Sequence, residues 1–365
     1  MAGQYMDNVV KAFFILLRAG LWERKPDSSS VFPLTRNEWE GVFDMARKQT
    51  VTALIYQGVC LLPESDFPPQ DILLKWVSAV DAIERLNRKM NKSLEELYGM
   101  FVQNGLQPVL QKGQGVASFY KNPLSRECGD IDLYFPQKGD VQKAVDFVRK
   151  NGGRVSLMPD KSYNFRFRNT EIEIHPFLID ICNPFKGRYI KEIEESSGYV
   201  KMCLNGSKTE ISVPTPFVNL LLLNTHILKH ALGWGIGMRQ LCDMAMACYS
   251  LNGSYSKEDM QYYCKKFGLC RWTRLLNAFM TDFLGLDEKY MLTDKRETSA
   301  EILKDIILEG GNFGMDRSGR KTEGKSKVMR KLTTMRSFCG NIVFSLKYAP
   351  AEGFWTFAGL LKGQF

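Results

Sequence analysis

The stretch Gly129-Asp130-Ile131-Asp132-Leu133-Tyr134-Phe135 constrains this chain more than any other. It reads as a short strand after a glycine, with two carboxylates two residues apart. Side chains at i and i+2 of a strand share a face. Asp130 and Asp132 therefore project together, while Ile131 and Leu133 face the other way. Two like charges held side by side are costly unless a cation holds them. A pair of this kind is what a divalent-metal site for phosphoryl or nucleotidyl chemistry needs.

The sequence around that strand falls into three parts. Residues 1–104 read as helical: Asn8 to Gly20 is amphipathic, and Thr35-Arg36-Asn37-Glu38 has the pattern of a capping box opening a helix toward Tyr56. Pro68-Pro69 opens a long helical pattern that closes at Asn104-Gly105. Residues 105–215 change period. Val109-Leu110 reads as a strand, Gly113 as a turn and Gly115 to Tyr120 as a helix; Asp140 begins another helix that ends at Asn151-Gly152-Gly153. Tyr163 to Arg168 and Glu171 to His175 predict a hairpin about Asn169-Thr170. That turn would pair Arg168 with Glu171, Arg166 with Glu173 and Asn164 with His175, giving one polar face. Residues 216–365 return to helix. The expected fold is α+β: a small mixed sheet flanked by N- and C-terminal helical regions.

Several residues extend the carboxylate pair into an ordered set. Leu110-Gln111-Lys112-Gly113, Tyr120, Asn122-Pro123 and Arg126 precede it, and Glu171-Ile172-Glu173-Ile174-His175 follows. In order and spacing this set resembles the DNA polymerase β-like nucleotidyltransferase superfamily. Within it, the chain is similar to a bacterial group of uncharacterised nucleotidyltransferases. The resemblance implies transfer of a nucleoside monophosphate from NTP to an acceptor hydroxyl, with two Mg²⁺ or Mn²⁺ ions. It implies that Asp130, Asp132 and Glu173 are the catalytic and metal-binding acids, with Glu171 as the alternative third acid. Lys112, Gly113, Arg126, Arg166 and Arg168 would bind nucleotide. Arg126 could equally brace its loop. The superfamily's Gly-Ser or Gly-Gly turn here reads Lys-Gly-Gln-Gly, without the hydroxyl. That departure leaves room for a decayed nucleotide- or protein-binding module.

Three histidines occur, His175, His226 and His230. His226 and His230 stand i, i+4 on a helix, a spacing that can bind zinc. No Glu lies between them and no third ligand is evident, so a place near the nucleotidyl site is the better reading. The group shows a similar His-bearing helix followed by Arg-x-Leu-x-Asp, here Arg239 to Asp243. His175, His226, His230, Arg239 and Asp243 are therefore candidate substrate contacts.

Nine Cys form no Cys-x-x-Cys and are odd in number, which argues against a disulfide framework or zinc ribbon and fits reduced cytoplasmic thiols. The apolar run Ala12 to Leu17 is too short for a bilayer, so no membrane partner is expected. The net charge of +9 favours acidic partners such as nucleotide. Residues 317–336 hold eight Lys/Arg and one acid, Glu323, a composition that could contact RNA and suits a toxin-type transferase acting on RNA or protein. The acceptor itself is not written in the sequence.

Overall fold

Alternation along three short strands organises the molecule. In the computed structural model, which describes residues 2–26, 31–204, 206–233, 235–310 and 342–362, seven strands form one mixed sheet. They are β1 (Val109–Gln111), β2 (Ile131–Tyr134), β3 (Ser156–Leu157), β4 (Tyr163–Phe167), β5 (Thr170–His175), β6 (Tyr199–Cys203) and β7 (Glu210–Pro214). Their order is β3-β4-β5-β2-β1-β7-β6. At the centre β2 runs antiparallel to β1 and parallel to β5, placing Asp132 opposite both Gln111 and Glu173. The architecture is α+β, as the sequence indicates. The β6–β7 hairpin and the short β3 were not anticipated.

One face of these strands is apolar. Leu110, Ile131, Leu133, Ile172 and Ile174 pack with Leu94, Leu97 and Phe101 of a long helix and with Ala144 and Val148 of the helix Asp140–Lys150. The other face carries Gln111, Asp132, Glu173 and His175 toward the C-terminal helices.

The helices make a second core. Helices α1 (Ala2–Trp22), α2 (Arg36–Lys48) and α3 (Thr52–Val59) pack together with α8 (Pro216–Leu232), α9 (Met238–Ser250) and the helices after them. The N- and C-terminal helical segments thus share one interior. Where α1 crosses α3 the backbones touch: a Cβ at Gly20 would stand 1.9 Å from Leu54 O, and one at Gly58 would stand 2.1 Å from Leu16 O. The capping box of α2 forms as expected, Glu38 accepting from the Thr35 amide at 2.8 Å. The helix stops at Lys48 instead of running on to Tyr56, because Thr50 turns the chain at φ +54°. Gln49 is used at that break: it donates to Ile307 O and accepts from the Met238 amide, both at 2.9 Å.

Helix α4 (Gln70–Gln103) joins the two cores. Its Ile72 and Trp76 lie in the helical interior, and Met90 to Phe101 lie under the sheet. Between them, buried Asn87 donates to both Leu124 O and Arg126 O at 2.7 Å, gripping the loop that leads into β2.

The β4–β5 hairpin differs from the expected register. Phe167 pairs with Thr170, Arg166 with Glu171 and Asn164 with Glu173. The turn residues are Arg168 and Asn169, at φ +48° and +65°. A two-residue hairpin turn of this kind needs positive φ at both positions. Asn tolerates that region, whereas a β-branched Thr does not. Thr170 therefore goes into the strand, where its hydroxyl meets Ser93 Oγ at 3.0 Å.

Among the described residues, no helix is long and apolar enough to cross a membrane. The basic stretch 317–336 lies outside the described residues.

Candidate active site

Parallel pairing of β2 and β5 brings Asp132 and Glu173 side by side on the polar face. Two residues further along β5, still on that face, His175 places Nε2 2.6 Å from Asp132 Oδ1 and 3.8 Å from Glu173 Oε2. Asp132, Glu173 and His175 each offer one ligand atom within 4.8 Å of the others. That donor set, two carboxylates and an imidazole, fits one divalent cation. Asp130 lines the same cleft just ahead of the strand but stands outside this three-residue group.

The cleft encloses about 290 Å³ between the sheet, the loops before β2 and after β5, and helices α8 and α9. Of the residues expected from sequence, Lys112, Gly113, Arg126, Asp130, Asp132, Glu173, His175, His226, His230, Arg239 and Asp243 line it. The C-terminal helices therefore form its second wall. Glu171 faces solvent, so Glu173 is the acid that the strand presents.

Two expected nucleotide-binding residues are elsewhere. Arg168 sits in the hairpin turn with Nε 2.6 Å from Glu96 Oε2 on α4. Arg166 is exposed on β4, opposite Glu171. Both displacements follow from the shift of the turn by one residue.

Arg126 lines the cleft, but its charge is committed. Its Nε and one terminal nitrogen reach the two oxygens of Asp243 at 2.7 Å each, and Tyr120 donates to the same carboxylate at 2.8 Å. Both partners are buried. A bidentate pair of this geometry is the strong form of the interaction. It clamps the loop before β2 to α9, so Arg126 braces. Arg239 is held beside it, donating to Glu127 O at 2.5 Å; its buried Nε has no hydrogen-bond partner.

Lys112 occupies the turn between β1 and a short helix, Gly113–Ala117. Its Nζ is 3.2 Å from Asp132 Oδ1. Burial acts to lower its pKa, but the carboxylates around it, Asp132 foremost, push it above the ordinary lysine value. Burial likewise opposes ionisation of Asp132; the Lys112 charge and the His175 hydrogen bond overcome it and hold the carboxyl well below the usual range. The Asp132 charge, then burial, pushes Asp130 up to about 6.

Sequence reasoning did not find Asp180 or Lys229. Asp180 lies in the irregular loop after β5, which Gln111 holds through Phe177 O at 3.2 Å and Glu352 holds through the Cys182 amide at 2.8 Å. Asp180 meets Lys229 Nζ at 3.1 Å and His226 Nδ1 at 3.5 Å. Burial, then the Lys112 charge, pushes His226 down to about 4. Burial also pushes His230 well down, so both α8 histidines stay neutral near pH 7. Lys229 stands i+3 from His226 on α8, the only local sign of its place.

A family model described as "Uncharacterised nucleotidyltransferase" matches residues 35–283, well over half of the chain. No curated protein matches. The crystal structure of an antigenic nucleotidyltransferase-like protein from Paracoccidioides brasiliensis is similar over 54% of this chain and 93% of that one, with 10% identity and a TM-score of 0.32. A likeness that loose bears on neither residue roles nor activity.

Proposed function

The chain belongs to the family of uncharacterised nucleotidyltransferases, and on that premise we propose that the cleft moves a nucleoside monophosphate from NTP to an acceptor hydroxyl. The observation that carries this reading is the pairing of Asp132 with Glu173 on adjacent parallel strands, at the foot of a cleft that also holds Lys112. Asp132, Glu173 and His175 would hold a divalent ion, Mg²⁺ or Mn²⁺, with Asp130 beside them. Such an ion supplies Lewis-acid stabilisation of charge on the reacting phosphate.

The remaining work is positioning and charge. The acceptor oxygen forms a bond to the α-phosphorus as the bond to the β-phosphate bridging oxygen breaks. Pyrophosphate leaves, and the hydroxyl proton passes to Glu173 as general base. Arg239 lines the cleft and would offer its positive charge to the triphosphate. Neutral His226 and His230 suit hydrogen bonding to a sugar, base or acceptor better than charge neutralisation.

The test is incubation with Mg²⁺ or Mn²⁺, each α-labelled NTP and cell lysate as acceptor source. Pyrophosphate release and label transfer are expected, and Asp132→Asn should lower both by about 10²–10³-fold, the usual loss for a group that stabilises transition-state charge. No pyrophosphate from any NTP would overturn transfer. A second reading, nucleotide binding without turnover, is favoured by the missing hydroxyl in Lys112-Gly113-Gln114-Gly115. Calorimetric NTP binding with no pyrophosphate would select it.

A further inference from the structure

We propose that the Lys112 ammonium is a resident cation of this site, standing in for one ion of a two-metal centre, so that the protein alone takes a single divalent ion. The inference rests on the nucleotidyltransferase reading above and concerns how this chain departs from a two-ion centre.

The first argument is placement. The Lys112 side chain is only 10% exposed, and its amine lies 3.2 Å from Asp132 Oδ1. Asp132, Asp180, Asp130 and Glu173 all act on it electrostatically. A lysine that served phosphate alone would point its compact charge into open cleft. This one is sunk among the acids, where an ion would otherwise bind.

The second argument is backbone cost. Lys112 has φ +39° and ψ −145°, a conformation sparsely populated for any residue with a Cβ. Strain of this kind costs on the order of 1–3 kcal/mol and persists only where the surroundings fix it. A turn alone would be served at lower cost by glycine, as at Gly113 with φ +47°. A lysine at such a position needs a reason in its side chain, and the contact with Asp132 supplies one.

The third argument is ligand capacity. Asp132 Oδ1 receives Lys112 Nζ at 3.2 Å. An ionised carboxylate offers about four lone-pair sites over its two oxygens. The ammonium occupies part of Oδ1, and Oδ2 is left for a metal. Among the described residues one three-donor group is present, and Asp130 is not in it. One carboxylate shared with an ammonium and one donor group together describe one ion.

The experiment counts ions on the full chain without nucleotide. Mn²⁺ titration followed by the electron paramagnetic resonance of free Mn²⁺, with equilibrium dialysis as a second count, should give one ion per wild-type chain. Lys112→Met removes the ammonium, frees Asp132 Oδ1 and should give two. Lys112→Arg keeps the charge and should stay at one. Circular dichroism and a thermal melt check that each variant folds. Two ions in the wild type overturn the proposal whatever the variants do, and leave metal-dependent transfer standing. A folded Lys112→Met with one ion or none also overturns it. No Mn²⁺ on the wild type overturns both this proposal and the metal-dependent reading.

Discussion

The two faces of strands β1, β2 and β5 make unlike demands on the same few residues. Ile131, Leu133, Ile172 and Ile174 are fully buried under α4. Asp132, Glu173 and His175, interleaved with them, face the cleft. Each chemical group thus sits one residue from a packing group on a backbone that the sheet holds rigid. Separate tasks are kept apart by the period of two, with stability assigned to one face and chemistry to the other.

Arg126 and Asp243 test that division hardest, because they belong to the cleft side yet tie the structure together. Arg126→Ala leaves the buried Asp243 charge without its partner. The expected cost is about 3–5 kcal/mol in chemical denaturation, with much of it recovered when Asp243 is also made apolar. A loss below about 1 kcal/mol would mean that the cleft face carries no stability. On the packing face, Leu133→Ala should cost about 2–5 kcal/mol. If its midpoint hardly moves, the apolar face is not the foundation described.

A third effect comes from α8. The folded pKa of His226 is near 4, below its unfolded value of about 6.5. Lys112, Lys229 and Asp180 face it, the lysines disfavouring its proton and Asp180 favouring it. As pH falls from about 6.5 to 4, the unfolded chain binds a proton that the folded chain refuses, so stability falls. At 1.36 kcal/mol per pKa unit the loss over that window is about 3 kcal/mol. Above pH 6.5 this group contributes no slope. Denaturation series at several pH values should show the fall, and His226→Gln should flatten it. An unchanged slope in that variant would reassign the effect to other groups.

The smallest effect sharpens the contrast along one strand. Glu171 and Glu173 share the polar side of β5, but Glu171 faces solvent. Glu171→Gln should change stability by less than about 0.5 kcal/mol and leave pyrophosphate release at the wild-type rate. A clear loss of activity would move the third acid from Glu173 to Glu171.

What the sequence revealed was what short-range rules govern. The capping box at Thr35 and the long helix ending at Asn104 depend on neighbours within a few residues, whereas Asp130 stands ahead of β2 and outside the group formed by Asp132, Glu173 and His175. The hairpin turn was misplaced by one residue, which moves each cross-strand partner by two, because Asn169 is acceptable at either turn position. The choice was made by the incompatibility of Thr170 with positive φ and by Ser93, 77 positions away. The commitment of Arg126 was left open because its partner lies 117 positions later. Asp180 could not be read at all, since its loop has no period and is placed by Gln111 and Glu352.

Helix α4 has a mechanical consequence. Its 34 residues form a rod about 51 Å long at 1.5 Å per residue, embedded at one end in the helical core and at the other under the sheet. The Arg126–Asp243 clamp makes a second joint between the same two bodies. The contacts of Asp180 with Lys229 and His226 and the packing of Val109 and Tyr134 into the helical core brace the same junction. The distance from the β2 carboxylates to the α8 histidines is therefore a built-in dimension of the frame, set before any substrate arrives.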